Sequence, residues 1–536
     1  MANWHLIRRV IPWLGLVLLI VGAKLWLIDS VGSSLPVWDQ IDGEGENAIR
    51  PYLENRLTLD DLWHPHNEHR IVFTKLYAIA LTALNGQWDS YVETVGNAIL
   101  HALFVPFLLL WVRRRVTGIP FATLATVVTV LWILPLDWEN TLQGFQSQFY
   151  FLIWLSFLHL RGVLEADGFG WKWTLGQLCG LLVLGTMGSG LLSSLAIIAI
   201  VGWTCLQTRK ISPFQLATLG LSALWATLGW LSRTHVPGHD YLIADSVGTA
   251  LSGAAAILTW PMDGWLPFSI VFAAPLGWAL WQQLRSRERP AFERTFVALS
   301  VWFLGIVATI AIFRVGGGAL SSRYLDQFII GLVLQGLALA LIPHTRWRTL
   351  LISGWVAALA LTSTTKVQQT WQDILQPRPA NFAQQEANVR AYFATQDPSH
   401  LLNKSVNELP HPSGEVLLDR WQHESIQRVM PAAVRAPVAF PIVPTELTQE
   451  LPPAPYPVIA ASPAGTQIEP WTWTSPRQPA TTLPMLRFRF NGALGDPESA
   501  LSMRVVSDLG SIRVVPDGSA QNRWKTINVV RPEGEW

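Results

Sequence analysis

Residues 92–135 read VETVGNAILHALFVPFLLLWVRRRVTGIPFATLATVVTVLWILP. Two apolar runs, 92–112 and 118–135, flank the triplet Arg113, Arg114 and Arg115. A run of about 20 apolar residues is the length of helix that crosses a bilayer. Short loops rich in Lys and Arg stay on the cytoplasmic side. The stretch therefore predicts a helical hairpin inserted from outside, with its arginine turn in the cytoplasm.

Working outward, apolar runs recur near 10–28, 147–161, 174–187, 188–206, 213–231, 265–284, 295–313, 325–342 and 348–364. With the hairpin they predict about eleven transmembrane helices. The shortest, 174–187, is also compatible with a broken hairpin shared with its neighbour. Arg8 and Arg9, Arg161 and Lys172, Arg209 and Lys210, the group Arg285, Arg287, Arg289 and Arg294, and the pair Arg346 and Arg348 fall between runs in the same alternation as the triplet. All six clusters lie in the cytoplasm if the N-terminus does. An odd number of crossings then leaves residues 365–536 outside. The expectation is an all-α polytopic bundle in a bacterial inner membrane, carrying an extracytoplasmic C-terminal domain. Val21-Gly22-Ala23 has small residues suited to signal cleavage, but the apolar stretch continues to Ile28, so the first run is read as a retained anchor.

Composition agrees. Half of the 536 residues are hydrophobic and 14% are charged, against about a quarter charged in soluble domains. The net charge of +1 and the absence of a basic stripe with interleaved aromatics give no sign of a nucleic-acid partner. Cys179 and Cys205 both lie in apolar runs and build neither a disulfide framework nor a thiolate metal site.

In this topology the long loops are external, and loops on a rigid scaffold are where function concentrates. The first, 29–91, carries Asp39, Asp42, Glu44 and Glu46 just after a span. Carboxylates at that boundary suit proton transfer from a sugar hydroxyl or capture of a divalent cation; a solvated acidic loop is the plainer reading. HPHNEHR at 64–70 supplies His64, His66, Glu68, His69 and Arg70. Its spacing matches no standard zinc motif. Glu68 or His69 would move protons and Arg70 would meet phosphate; capping by Asn67 of a following interfacial helix, 71–84, is the alternative. The second loop, LDWENTLQGFQSQFY at 136–150, sets Asp137, Glu139, Asn140, Gln143, Gln146 and Gln148 against the membrane. These groups suit sugar hydroxyls or, equally, hydrogen bonds between helices. RVGGGALSSRYLDQ at 314–327 puts Arg314, Arg323 and Tyr324 on the outer side, against the charge bias, which asks for an anionic partner.

These motifs resemble the GT-C superfamily of membrane glycosyltransferases, and more narrowly a poorly characterised bacterial polytopic group within it. The residues that carry the resemblance are Trp38-Asp39, HNEHR at 66–70, WENTLQGFQSQF at 138–149, SRY at 322–324, NVRAYFATQDPSHLL at 388–402 and IQRVMPAAVRAP at 426–437. The resemblance implies a polyprenyl-phosphate sugar donor, a glycan or lipid acceptor, transfer at the external face among membrane lipids, and a catalytic carboxylate in the first loop, best matched by Asp39. Many members show two adjacent acidic residues there; here Gln40 and Ile41 separate Asp39 from Asp42. Asp39 would then be the base with Asp42 or Glu44 assisting, and burial would raise its pKa. Arg70, Arg323 and Tyr324 would bind the donor phosphate, and Glu139, Asn140, Gln143 and Gln146 sugar or acceptor. No cofactor is demanded; a divalent cation is the one the carboxylates allow. The alternative function is a non-catalytic membrane protein that binds or moves lipid-linked glycans.

Beyond the transmembrane module at 1–364, residues 365–440 read as a polar helical segment, 441–480 as a Pro/Thr-rich linker and 481–536 as a small β-sandwich. Trp471 and Trp473 are candidates for stacking on a sugar ring.

Overall fold

The computed structural model describes residues 2–435, apart from 263, 265, 287, 288 and 344, together with four strands at 485–490, 503–507, 510–514 and 525–530. Expectations for the linker, Trp471 and Trp473 fall outside the described residues. The chain forms two units: residues 1–81 with 89–382, and residues 82–88 with 383–536.

The first unit is a helical bundle of a membrane protein. Among the described residues seven helical stretches are long and apolar enough to cross a bilayer: Val10–Val31, Ser90–Val112, Gly118–Leu142, Gly188–Thr208, Pro213–Leu231, Ala291–Phe313 and Thr345–Thr395. The other apolar runs form helices of different character. Leu325–Ala340 has only 16 residues, and every one is buried. It packs against Ala291–Phe313, Gly118–Ile133, Leu266–Arg285 and Thr345–Thr370. Gly331 and Gly336 permit that closeness: a Cβ at Gly331 would lie 2.1 Å from the Phe303 ring, and one at Gly336 2.7 Å from Leu124. Small residues let helices approach where lipid offers no hydrophobic drive between them.

Ser147–Leu164 and Trp171–Leu182 form a hairpin that closes backbone to backbone. A Cβ at Gly162 would sit 2.7 Å from Gly176 Cα. The run 174–187 is a broken helix. Trp171–Leu182 passes through a 3-10 turn, Val183–Gly185, opens at Thr186 and Met187, and resumes as Gly188–Leu191 and Leu192–Thr208. Non-helical backbone at such a depth needs partners within the protein. The first loop supplies them: Arg70 N–H donates to Thr186 O at 3.2 Å, and Gly188 N–H donates to His69 Nδ1 at 3.1 Å.

The loops segregate into two sets. Arg114 pairs with Glu165 at 2.5 Å, Arg115 with Glu293 at 3.1 Å, and Arg294 Nε donates to Leu164 O at 2.7 Å. Those contacts join the arginine loops to one another. Residues 38–70, 137–146, 186–188, 232–239 and 314–326 join each other through a separate set of contacts.

The helix Thr345–Thr370 runs past residue 364 and continues through a π-helical turn, Trp371–Leu375, into Arg378–Thr395. In the second unit Trp421 and Leu417 are wholly buried, with Phe393 5.7 Å from the Trp421 ring. Trp88 N–H donates to Val429 O at 2.7 Å. The strands form two separate antiparallel pairs, Met485–Phe490 with Lys525–Val530 and Met503–Ser507 with Gly510–Val514. No ladder joins the pairs among the described residues, so the architecture here is two ribbons.

Candidate functional site

The first loop is built around a buried amide. Trp38 adopts φ 52°, a left-handed turn that bulky residues rarely occupy. It leads into a ten-residue π-helix, Gln40–Ile49. Wide turns of that kind are rare and are frequent at functional sites. Gln40 fixes the turn with all its polar atoms. Its Oε1 accepts from Val37 N–H at 3.2 Å and Ser90 Oγ at 2.9 Å; its Nε2 donates to Glu93 at 3.0 Å and Glu44 at 3.4 Å. Asp39 therefore projects from a clamped backbone, with its side chain 40% exposed and Oδ1 3.5 Å from His66 Nε2.

HNEH is a tight turn. His66 and His69 exchange backbone hydrogen bonds at 2.9 and 3.0 Å, and Asn67 holds φ 51° between them. Asn67 is thus a turn residue and not the cap of the following helix, Val72–Asn85. That helix is held in place by Lys75, whose Nζ donates to the carbonyls of Asp61, Leu62 and His64 at 2.7, 3.4 and 2.8 Å. These are the free carbonyls at the end of helix Leu59–Trp63, where a cation is favoured.

Charges converge here from four segments. Glu68 accepts from His239 Nδ1 at 2.8 Å and forms an ion pair with Arg314. Burial alone would raise its pKa, but His239 and Arg314 overcome that and bring it down to about 2. Burial and the neighbouring Arg314 lower His69 to about 4, so its Nδ1 stays free to accept from Gly188. For Asp39 burial is again the largest influence and acts upward. His66, Arg323 and His69 together outweigh it, and the net shift is downward. The expected rise is corrected: the carboxylate stands among more cationic partners than the sequence revealed. Glu139 accepts from the Ser321 and Ser322 hydroxyls at 3.0 and 2.5 Å and from Arg323 N–H at 3.1 Å, and it pairs with Arg323 Nη2 at 3.3 Å. Asn140 Nδ2 donates to Arg323 O at 2.9 Å and Asp326 Oδ2 at 2.8 Å. Burial raises the Tyr324 phenol despite Arg314 and Arg323 nearby.

Asp39, Glu68, His69, Arg323, Tyr324, Glu139 and Asn140 are thus drawn into one region. Arg70 is anchored by two of its five N–H donors: Nε donates to Ser232 O and Nη1 to Trp63 O, both at 2.9 Å. Two expectations need correction. Glu44 is 1% exposed and faces Gln40, so it cannot meet a substrate. Gln146 is buried and gives its amide to Gln143 Oε1 at 3.1 Å, so the two amides partner each other. Asp42 lies half-buried in the π-helix, its carbonyl accepting from Asn47 at 2.8 Å.

Beside this region sits a buried group of which the loop-by-loop reading singled out only Asp137. Lys24 Nζ donates to Asp137 Oδ2 at 2.9 Å and Thr141 Oγ1 at 2.7 Å. His101 lies between Asp137 and Asp326, and all four ionisable side chains are at most 2% exposed. His101, Asp137 and Asp326 form the one cluster of potential ligand atoms within 4.8 Å among the described residues, and the Lys24 ammonium is its resident cation. An ionisable residue inside an apolar run was the available signal: Lys24, His101 and Asp326 each interrupt one.

Comparison of the chain with family models, curated proteins and solved structures gave no match to any of them.

Proposed function

We propose that the protein is a membrane glycosyltransferase that takes a sugar from a polyprenyl-phosphate donor on the outer face of the inner membrane. In this reading the N-terminus is cytoplasmic, the shorter apolar helices complete about eleven crossings, and the C-terminal segment is extracytoplasmic. The observation that carries the reading is Asp39: a half-exposed carboxylate on a clamped turn, beside His66 and within the field of Arg323.

Asp39 Oδ accepts the proton of the acceptor hydroxyl, and His66 stabilises the proton on the pair. The acceptor oxygen bonds to the anomeric carbon from the face opposite the leaving group. The bond from that carbon to the phosphate oxygen breaks, with inversion, and polyprenyl phosphate departs. Arg323 and Tyr324 receive the developing phosphate charge. Glu139 orients Arg323 through Nη2 and its backbone N–H.

The second reading, a protein that binds or moves lipid-linked glycans without chemistry, is favoured by the low pKa of Asp39, which makes it a weak base. Asp39→Asn in purified protein separates the two. The enzyme reading expects turnover with a polyprenyl-phosphate sugar to fall by about 100-fold or more while donor binding is kept. Wild-type protein that binds donor and turns none over favours the binder. Wild-type protein that binds no donor refutes both.

A further inference from the structure

We infer that Lys24, His101, Asp137 and Asp326 form a proton-binding site within the membrane bundle, holding one proton beyond that of the Lys24 ammonium. The geometry of the imidazole carries the inference. His101 Nε2 faces Asp326 Oδ1 at 3.2 Å, and Nδ1 faces Asp137 Oδ2 at 3.8 Å. Neither ring nitrogen has a hydrogen bond of ordinary geometry, and both are buried. A neutral imidazole has one N–H and one lone pair. Between two carboxylates, the lone pair would meet the lone pairs of one of them. The clash vanishes if the ring is an imidazolium donating to both, or if the carboxyl facing the lone pair is protonated. Either arrangement adds one proton.

Charge counting gives the same number. Lys24 contributes one positive charge, Asp137 and Asp326 two negative ones, and a neutral His101 none. The sum is an uncompensated buried anion, which is strongly disfavoured in a low-dielectric interior. One proton restores neutrality. A divalent metal would overshoot to a net positive charge beside the ammonium. The stacked ring of Tyr150, 4.5 Å from His101 at 24°, faces a cation well. Lys24, Asp137, Asp326 and Tyr150 are the titratable groups that face His101; Trp132 covers it at 5.3 Å. Asn140 ties Asp326 to the Arg323 carbonyl, so a change of protonation bears on the segment that carries Arg323.

The test is spectroscopic, on the full chain in lipid nanodiscs at about pH 7. Histidine ¹⁵N NMR and carboxyl infrared spectra are recorded for wild type, His101→Gln, Asp137→Asn and Asp326→Asn. The expected result is one doubly protonated ring signal that disappears in His101→Gln, or one protonated-carboxyl band that disappears in Asp137→Asn or Asp326→Asn. The inference is overturned if none of these spectra changes. It is equally overturned if the wild type takes up one Zn²⁺, Mn²⁺ or Na⁺ per chain and the variants lose that binding. If a variant does not fold, the wild type decides alone. A ring or carboxyl signal that stays protonated from about pH 6 to pH 8, where exposed histidines deprotonate, upholds the site, and its absence refutes it.

Discussion

Lowering the pH from about 7 to 4 should destabilise the membrane unit through His69, and His69→Asn should remove that sensitivity. The folded ring titrates at about 4 instead of 6.5. Between those values the unfolded chain binds a proton that the folded chain refuses, so stability rises with pH there. It is complete above 6.5, falls as the pH drops toward 4, and is level below. Linkage at 1.36 kcal/mol per pH unit sets a ceiling of about 3 kcal/mol, and partial solvent contact of the ring brings this to about 1–3 kcal/mol. The physical event is specific. Protonation ends the hydrogen bond from Gly188 N–H to Nδ1 and sets a second cation near Arg314. Glu68, brought from 4.5 down to about 2, adds its own loss of stability only near the acid end of the range, and His69→Asn retains that carboxylate, so the difference between the two proteins isolates the ring. Asn offers an acceptor oxygen near the position of Nδ1 and does not titrate. Thermal unfolding in detergent, followed by the fluorescence of the 28 tryptophans, measures both proteins across the range. The wild type should lose a few degrees of Tm more than the variant between pH 6.5 and 4. Parallel curves, or a wild type steadier in acid than the variant, would show that the ring does not hold a depressed pKa.

Other perturbations test the scaffold. Gly162→Ala should cost about 1–3 kcal/mol, because its Cβ meets the Gly176 backbone at 2.7 Å and backbone cannot yield; Tm measures it. Lys75→Met should leave three carbonyls uncapped and cost about 1–3 kcal/mol locally, seen as faster proteolysis within residues 56–64 while the rest of the bundle stays intact. Arg314→Gln should let the Glu68 carboxyl rise part of the way from about 2 toward the ordinary 4.5, with His239 and His69 still holding it down; infrared titration follows it.

Much of the bundle was legible because membrane insertion writes itself into sequence in two independent scripts, apolar length and arginine placement. The loops of Arg113–Arg115 and Arg294, grouped by charge in the sequence, meet one another through Glu165 and Glu293. What length alone misjudges is a helix surrounded by protein. Leu325–Ala340 contacts other helices on every side, so it has no need to match the bilayer and stops at 16 residues. The break at Thr186–Gly188 stood in the sequence only as an alternative to a full span, because its partners, His69 and Arg70, lie over a hundred residues earlier in the chain.

The site shows the same division between what is local and what is assembled. Asp39, His69 and Arg323 were identifiable as polar groups at membrane boundaries, yet their chemistry depends on partners that spacing cannot reveal. Arg70 has the right charge and the right loop, and the fold spends two of its donors on carbonyls. Arg323 keeps its place because Glu139 holds it from another loop and Ser321 from its own. The decisive difference is what each arginine finds within hydrogen-bond or ion-pair reach. A guanidinium bound to neutral carbonyls keeps its full charge but has those donors engaged and fixed. One paired to a carboxylate can exchange that partner for a phosphate without a net loss of charge-assisted bonds. The exchange would leave Glu139 with the two serine hydroxyls and the Arg323 backbone N–H as its donors. An anion arriving at Arg323 therefore acts on the Ser321–Arg323 segment and, through Asn140, on Asp326 and the buried quartet. The mouth and the membrane interior share one hydrogen-bonded path, and a ligand at the first has a physical means of reaching the second.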